Sequence, residues 1–259
     1  MNPNMTSNNF TGQVAIVTGA GQGIGFEIAK QISLQGAAVL INDVSPELAA
    51  NAAETINRLG GNCIDLAGDA ADIDFIQQMV DTAITQFGKL TIAIANAGIT
   101  LFGSFLDYPA QSLQSVMNLN LQGSFFLAQR TAKQIIKQKS GGSILFMSSV
   151  TGHQAHQDLA AYGMTKAGLE MLAKSLVVEL SPYHITVNTV APGATLTERT
   201  MEDVSYKDTW SRITPMGRPG TVQDVANAVL FLVSPQATQI TGQNIVVDGG
   251  WSAVSASPY

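Results

Sequence analysis

The sequence predicts an α/β protein with a doubly wound, parallel, seven-stranded sheet and helices on both faces. Two observations lead to this fold class. Short runs rich in Val, Ile and Leu alternate with amphipathic segments along nearly the whole chain. Apolar runs of this kind are typical of strands buried on both faces, as in a parallel sheet. In addition, no repeat, low-complexity tract or long linker divides the 259 residues, so a single domain is expected.

Six strand predictions are strong and one is weaker. The strong candidates are 14–18, 38–42, 90–95, 143–148, 186–190 and 244–247, and the weaker one is 62–66. Between the strands, Ser45 followed by Pro46 predicts the start of a helix. Gly60 and Gly61 predict the end of that helix. Residues 72–87 place apolar side chains at helical spacing and are followed by Gly88, which predicts a second helix.

The composition limits the classes of partner. Hydrophobic residues make up 46% of the chain and charged residues 12%, so a large core is expected and other subunits are expected to cover part of the exterior. The net charge of −6 argues against binding to nucleic acid or to an anionic membrane. The single cysteine, Cys63, excludes an internal disulfide, and a buried thiol is the favoured interpretation.

The N-terminal residues 1–11 lack the basic region and apolar run of a signal peptide. We therefore expect a disordered lead-in over 1–11, followed by one domain over 12–259. No apolar run is long enough to cross a bilayer without polar interruption. A cytoplasmic protein with no membrane partner is expected from these features.

A glycine-rich turn directly follows the first predicted strand. Residues 18–25 read Thr-Gly-Ala-Gly-Gln-Gly-Ile-Gly and lead into a helical pattern. Glycines let the backbone approach a pyrophosphate closely, and the following helix N-terminus offers N–H groups to phosphates. The spacing is G-x-x-x-G-x-G and differs from the G-x-G-x-x-G of most Rossmann proteins, because position 24 is Ile. A Rossmann-like dinucleotide site is favoured over a simple turn.

Asp43 comes at the end of the second predicted strand. A carboxylate there can accept hydrogen bonds from the adenosine ribose hydroxyls of NAD, and it would repel the extra phosphate of NADP. The neighbouring Gln22 and Val44 supply no cation for that phosphate. An aspartate that merely starts a turn is the alternative, and the ribose role is favoured.

A Tyr-x-x-x-Lys pattern carries the chemistry. Tyr162 and Lys166 are four residues apart, so their side chains lie on one face of a predicted helix. An ammonium beside a phenol stabilises the phenolate, which allows proton exchange with an alcohol or ketone oxygen. Ser149 follows a predicted strand and could hydrogen-bond the same oxygen. The three residues together predict an oxidoreductase centre.

Taken in order, these motifs resemble those of the short-chain dehydrogenase/reductase family from about Gly12 to Trp251. The Asn118–Gly123 segment is similar to the family's N-L-x-G motif, and 247–250 to its V-D-G-G signature. The resemblance implies NAD as cofactor and no metal. It places the dinucleotide on Gly19, Gln22, Gly23, Ile24, Gly25, Asp43, Asp69, Ala70, Asn96, Ala97, Gly98, Tyr162, Lys166, Pro192, Gly193, Thr195 and Thr197.

The resemblance also implies catalytic roles for Asn120, Ser149, Tyr162 and Lys166. Tyr162 would be the general acid in reduction and the general base in oxidation. Lys166 would stabilise the phenolate and hold the nicotinamide ribose, and Ser149 would orient the substrate oxygen. Asn120 would connect Lys166 to solvent through a water.

Two segments are expected to shape the substrate pocket. Residues 151–158 contain His153 and His156 and are polar, which leaves an exposed loop and a pocket for a hydroxylated substrate equally open. A metal site at the two histidines is rejected because no third ligand is evident. By resemblance, 194–215 forms a lid over the substrate. Met201 and Trp210 could be lid contacts or part of a satellite core.

The leading functional hypothesis is an NAD-dependent dehydrogenase that interconverts a secondary alcohol and its ketone, with sugars and polyols among the candidates. The alternatives are an NADPH-dependent 3-oxoacyl-[acyl-carrier-protein] reductase and a non-catalytic NAD-binding redox sensor. The resemblance favours a homotetramer, with a dimer as the second choice. The apolar helices 111–139 and 161–180 correspond to helices that pair between subunits in the family, and the C-terminal strand, with Trp251 after it, often joins a second interface there.

Overall fold

A computed structural model of the protein describes residues 9–254. Seven parallel strands form the main sheet in the spatial order β3-β2-β1-β4-β5-β6-β9, which confirms the predicted fold class. A separate pair of short parallel strands, β7 and β8, lies outside it. The strands are β1 (Val14–Val17), β2 (Ala38–Asp43), β3 (Asn62–Ala67), β4 (Ile92–Ala95), β5 (Gly142–Met147), β6 (Ile185–Pro192), β7 (Thr195–Leu196), β8 (Gly220–Thr221) and β9 (Asn244–Val247).

Helices cover both faces of the main sheet because alternate strand residues point to opposite sides. Val17 and Ile41 pack into a core with α1, α2 and α8 on one face, and Ile16 and Leu40 pack with α3, α5 and α6 on the other. The helices are α1 (Gly23–Leu34), α2 (Pro46–Arg58), α3 (Ile73–Phe87), α4 (Ala110–Val116), α5 (Ser124–Gln138), α6 (Ala160–Leu180), α7 (Tyr206–Ile213) and α8 (Val222–Val233).

Local capping explains where several helices begin and end. The Ser45 hydroxyl accepts a hydrogen bond from the Leu48 N–H at 3.3 Å, and Pro46 is the first residue of α2. Asp72 caps α3 in the same way, and α3 ends at Gly88, whose φ of +80° is in the left-handed region. These caps agree with the predicted boundaries of both helices.

The long helix predicted over 111–139 is interrupted. A π-helical segment, Met117–Gly123, separates α4 from α5. A π-turn adds one residue to a helical turn and is frequent at functional sites, and this one contains Asn120. The hydrophobic pattern did not predict it, because the buried residues of this segment, Asn120 and Gly123, carry no apolar side chain that would show a change of register.

The folded part of the chain begins earlier than expected. Most of the predicted lead-in, 1–8, lies outside the described residues. Phe10, however, is buried, and its N–H donates to the Gln35 carbonyl at 3.0 Å. Ordered structure therefore starts at least two residues before Gly12, because the Phe10 ring packs into the core beside α1. Among the described residues, no helix has the length and apolar character to span a membrane.

Candidate active site

Two adjoining cavities lie beyond the carboxyl ends of the strands, at the point between β1 and β4 where the strand order reverses. Open α/β sheets bind ligands at this position. We call the first the long cleft, of about 530 Å³, and the second the small cavity, of about 230 Å³. The residues that line both are Ile24, Asn96, Gly98, Thr197 and Arg199.

The glycine turn shapes one wall of the long cleft. Gly19 has a φ of +60°, and a Cβ there would lie 2.8 Å from the Ala97 Cα, so a side chain is excluded on both grounds. The next helix, α1, begins after Gln22, which makes no side-chain capping hydrogen bond. The first N–H groups of α1 are thus left for an anion, as a dinucleotide pyrophosphate requires. The cleft fits the cofactor expected from the sequence.

Gly25 has a different role from the other turn glycines. It does not line the cleft, and a Cβ on it would lie 2.4 Å from the Gly19 carbonyl oxygen and from Asn96 Nδ2. Gly25 therefore permits close packing of α1 against the ends of β1 and β4 rather than facing the cleft. Asn96 joins the same strand ends, because its Nδ2 donates to the Thr18 and Gly19 carbonyls at 2.9 Å each.

Most of the predicted cofactor residues line one of the two cavities. The long cleft is bordered by Gly19, Gln22, Gly23, Ile24, Asp43, Asp69, Ala70, Asn96, Ala97, Gly98 and Thr197. The small cavity is bordered by Tyr162, Lys166, Pro192, Gly193, Thr195 and Thr197. The topology thus brings these distant segments together at the same edge of the sheet.

Asp43 lies at one end of the long cleft. Its Oδ2 accepts a hydrogen bond from the Gly21 N–H and its Oδ1 one from the Ser45 N–H, both at 3.1 Å. These two bonds fix the carboxylate and leave further lone pairs for hydroxyl donors. Within the described residues, the charged side chains that line the cleft are Asp43, Asp69, Glu198 and Arg199. Arg199 also lines the small cavity, at the other end from Asp43.

Ser149, Tyr162 and Lys166 line the small cavity together. Ser149 follows β5, and its Oγ accepts from the Thr151 N–H at 3.3 Å, while Tyr162 and Lys166 lie on the first turns of α6. Lys166 is buried, and its Nζ donates to the Met147 carbonyl at 2.7 Å. The same Nζ lies 5.4 Å from the centre of the Tyr162 ring, close enough for the ammonium to stabilise a phenolate electrostatically.

Asn120 lies behind this centre, not on the cavity wall. It is fully buried, and its Oδ1 accepts from the Ile99 N–H at 2.8 Å while its Nδ2 donates to the Ile99 carbonyl at 2.9 Å. A Cβ on Gly98 would lie 3.2 Å from Asn120 Oδ1 and 3.4 Å from Lys166 Nζ. Gly98 therefore keeps a narrow space open between the asparagine and the lysine.

The site contains residues that the sequence reasoning missed. Thr100, Arg199, Thr200 and Tyr206 also line the small cavity. The last three belong to the lid segment, 194–215, which folds as β7, a short 3-10 turn and α7. The sequence interpretation recognised that segment but assigned no residue of it beyond Thr195 and Thr197 to the site. The Tyr206–Trp210 spacing of four residues was the available signal, since it places two aromatic rings on one helix face.

Both histidines of the loop after Ser149 contact neighbouring segments. His153 Nδ1 lies 3.1 Å from Glu170 Oε1 on α6, and the same oxygen accepts from the Ser148 hydroxyl at 2.7 Å. The His156 ring stacks on Trp251. No group of three or more His, Cys, Asp or Glu side chains suited to a metal ion occurs between residues 9 and 254.

Cys63 lies away from the site, in the core beside α2. The thiol is buried, as expected from the sequence. Burial, with a smaller effect from Asp65, raises the pKa of the Cys63 thiol to about 12. Because the thiolate is the reactive form, this cysteine is chemically inert in the folded protein.

Comparisons with known proteins agree with this architecture. A family model described as Enoyl-(Acyl carrier protein) reductase matches residues 19–252. The crystal structure of a short-chain type dehydrogenase/reductase from Mycobacterium marinum superposes with a TM-score of 0.90 at 31% identity and covers 95% of this chain and 98% of that chain. The chain belongs to the short-chain dehydrogenase/reductase family.

Two relatives within the family act on different substrates. An L-rhamnose 1-dehydrogenase (NAD(P)(+)) of Azotobacter vinelandii is 37% identical over 245 residues, which cover 92% of this chain and 96% of that protein. A 3-oxoacyl-[acyl-carrier-protein] reductase of Staphylococcus aureus is 38% identical over 239 residues, with coverage of 91% and 96%. Overall identity therefore does not separate the two substrate classes.

The family membership confirms the predicted chemistry at the level of reaction class. The protein is an oxidoreductase that acts on CH–OH groups with a nicotinamide cofactor. This conclusion disfavours the alternative of a non-catalytic redox sensor.

Proposed function

We propose that this enzyme is an NAD-dependent dehydrogenase that oxidises the C1 hydroxyl of a small aldose of the L-rhamnose type. The observation that carries the proposal is the small cavity, where Ser149 and Tyr162 lie beside the long cleft. Its volume of about 230 Å³ lies below the range of drug-sized ligand pockets. The nicotinamide is expected to share this cavity, so the space left favours a substrate as small as a monosaccharide. The similarity to the L-rhamnose 1-dehydrogenase supports the same substrate class.

The preference for NAD rests on the charge around Asp43. The extra phosphate of NADP would be placed near this carboxylate, and the adjoining wall residue is the apolar Val44. Arg199 lines the cleft where it meets the small cavity and so is badly placed to neutralise a phosphate at the adenosine end. The electrostatics therefore favour NAD, although the Azotobacter relative is named for both cofactors.

The side chains of the small cavity then have defined roles in the oxidation. Ser149 donates a hydrogen bond to the sugar hydroxyl and holds it beside Tyr162. The Tyr162 phenolate, stabilised by Lys166, removes the hydroxyl proton as the C1–H bond breaks. When bound, NAD supplies the acceptor for the hydride that leaves C1. Loss of this proton and hydride from a cyclic aldose breaks the O–H and C1–H bonds and forms the C1=O bond of the lactone.

Lys166 and Asn120 complete the proton path. Lys166 is fixed by the Met147 carbonyl on one side and faces Asn120 across the space above Gly98. We propose that a water held near Asn120 in this space returns the proton from Tyr162 and Lys166 to solvent. The interrupted helix supports this role, because the π-helical segment places Asn120 in the core at the end of β4.

The second candidate is reduction of a 3-oxoacyl group on an acyl carrier protein. Two observations favour it: the similarity to the Staphylococcus reductase and three exposed apolar side chains in the loop after β4, Phe102, Phe105 and Leu106. The carboxylate of Asp43 opposes NADPH. The net charge of −6 also opposes docking of an acidic carrier protein. We therefore rank this activity below sugar oxidation.

A rate screen of the purified enzyme distinguishes the candidates. The panel contains L-rhamnose, other aldoses, polyols, hydroxy acids and an acetoacetyl thioester, each assayed with both nicotinamide cofactors. We expect the highest kcat/KM for a monosaccharide with NAD. A higher kcat/KM for reduction of the thioester with NADPH would contradict the proposal and favour the second candidate.

A further inference from the structure

An aromatic chain that the catalytic mechanism does not use runs from the small cavity to the C-terminal segment. Tyr206 and Trp210 lie on α7, with ring centres 6.0 Å apart. Trp210 meets Trp251 edge to face at 5.2 Å, and Trp251 stacks on His156 at 5.0 Å with an angle of 26° between the planes. These separations are those of favourable aromatic pairs. We call the four residues the aromatic chain.

The aromatic chain joins three segments that are far apart in sequence. Tyr206 and Trp210 belong to the lid segment, His156 to the loop between Ser149 and Tyr162, and Trp251 to the turn after β9. In the described part of the chain, the buried Nε2 of His156 has no hydrogen-bond partner. Ring stacking is thus the main contact that positions this side chain.

Trp251 has a rigid support. The Asp248 carboxylate accepts hydrogen bonds from the Gly250 N–H at 2.8 Å, the Ser252 N–H at 2.7 Å and the Ser252 hydroxyl at 2.6 Å. Burial alone would raise the pKa of Asp248, but these hydrogen-bond donors hold it below its usual range. The turn that carries Trp251 is therefore fixed by an ionised carboxylate at neutral pH.

We propose that Tyr206 is a specificity-determining residue for the substrate and that Trp251 is the positioning residue that holds the lid at the small cavity. Trp251 does so through its contact with Trp210, and its stacking on His156 ties the lid to the loop 151–158. Tyr206 is the aromatic side chain contributed by the lid to the cavity wall. Its ring offers an apolar face to the C–H groups of a sugar. Burial raises the pKa of its phenol, so the hydroxyl stays protonated and can donate to a sugar oxygen.

The identity of the ligand in this inference rests on the proposed function, whereas the contacts within the aromatic chain do not depend on it. The sugar ring is the ligand class because it presents both C–H faces and hydroxyl groups. Trp251 does not line the small cavity. Its effect on the substrate must therefore pass through the position of Tyr206.

The first test compares Trp251→Ala with Trp251→Phe, using the best sugar from the screen. Loss of two ring contacts in Trp251→Ala should raise KM roughly tenfold, with a smaller change in kcat and with the Kd of NAD within twofold of wild type. Trp251→Phe should have a KM close to that of the wild type, because it keeps an aromatic ring at this position.

Tyr206→Ala should raise KM by a factor similar to that of Trp251→Ala, and it should change the ranking of the sugars. Tyr183→Ala is the control and should leave KM unchanged, since Tyr183 lies just before β6 and so at the amino ends of the parallel strands, away from the site at their carboxyl ends.

A second measurement does not depend on turnover. Hydrogen exchange should be faster in 206–213 and 153–158 of Trp251→Ala than in wild type, and unchanged in Tyr183→Ala. Failure of the wild-type enzyme to oxidise any sugar would contradict the proposed function, while the exchange result would still decide whether Trp251 holds the lid and the loop. Unchanged KM and unchanged exchange in Trp251→Ala would overturn the inference. Dissociation of the assembly by this variant would overturn it too, because Trp251 would then be an interface residue.

Discussion

At the scale of single residues, the site is an arrangement of fixed polar groups around two adjoining cavities. Lys166 is held by the Met147 carbonyl, Asp43 by two backbone N–H groups, and Asn120 by the backbone of Ile99. Each group is positioned by a hydrogen bond before any ligand arrives. Such preorganisation is what allows a site to stabilise charge that develops during a reaction.

The role of Asp43 leads to a prediction on cofactor choice. Asp43→Ser removes the charge that opposes the NADP phosphate and keeps a small polar side chain. The ratio of kcat/KM for NAD to that for NADP should fall by about tenfold or more, because a unit charge at contact distance is worth more than 1 kcal/mol. Steady-state kinetics with both cofactors measures this ratio.

The matched control for this variant is Asp69→Ser, at a second carboxylate of the cleft. We expect Asp69→Ser to weaken the binding of both cofactors similarly. An unchanged NAD to NADP ratio in Asp43→Ser would contradict the proposed cofactor preference.

The sequence predicted the proposed catalytic residues of the small cavity but missed the lid residues that line it. Ser149 directly follows a predicted strand, and Tyr162 and Lys166 are four residues apart on one helix, so each was recognisable from its local sequence. The structure brings all three to the small cavity. Tyr206 and Arg199 were not predicted, because the lid helix α7 is short and its aromatic spacing does not show which cavity its side chains line. Their position depends on tertiary contacts such as that between Trp210 and Trp251.

At the scale of elements, the strands and most helices followed from local sequence. Apolar runs predicted all seven strands of the main sheet, including the weaker one at β3, and capping residues predicted the limits of α2 and α3. The π-helical segment at Asn120 was not predicted. Packing against the neighbouring elements decides whether a helix contains a π-turn, and the local pattern of apolar residues does not show it.

The start of α8 provides a prediction on stability. Thr221 and Asp224 form a capping box at the N-terminus of α8, in which the Asp224 carboxylate accepts a hydrogen bond from the Thr221 N–H. The Arg218 guanidinium donates hydrogen bonds to both oxygens of the same carboxylate. The hydrogen-bonded Arg218 guanidinium holds the pKa of Asp224 well below its usual range. Asp224→Asn should lower stability at pH 7 by about 1 kcal/mol, or about 2–4 °C in Tm.

The pH dependence of this effect has a defined sign. A carboxyl group whose pKa is depressed by folding stabilises the protein above its unfolded pKa, near 4, and loses this contribution as the pH falls further. The difference in Tm between wild type and Asp224→Asn should therefore shrink below about pH 4. The control is Glu54→Gln, in an exposed pair with Arg58, which should change Tm little at either pH. A constant difference for Asp224→Asn at all pH values would contradict the assignment.

At the scale of the whole molecule, residues 9–254 expose two apolar surfaces besides the loop after β4 and the lid. One comprises Met164, Met171 and Val178, spaced seven residues apart on α6, with Phe125 on α5. The other comprises Phe231 on α8 and the edge strand β9, with Ile245, Val246 and the following Val254. Separate surfaces of this kind favour an assembly with two different interfaces. We propose a homotetramer.

The assembly can be tested by charging one surface. Met171→Asp should convert the tetramer into dimers, because a carboxylate buried in an apolar interface is unpaired. Light scattering coupled to size-exclusion chromatography measures the mass. Leu59→Asp, at an exposed position after α2, is the control and should keep the wild-type mass. A wild-type monomer, or an unchanged mass for Met171→Asp, would contradict the proposed interface.

The substitution Tyr162→Phe tests most directly whether the Tyr162 phenol is the general base. Removal of the phenol oxygen eliminates the proposed general base but keeps the ring beside Lys166. We expect kcat for sugar oxidation to fall by about 10²–10⁴-fold, with the Kd of NAD within about twofold of wild type. Tyr183→Phe is the matched control and should retain full activity. A Tyr162→Phe enzyme with wild-type kcat would contradict the role of Tyr162 as general base, because another group would then remove the proton.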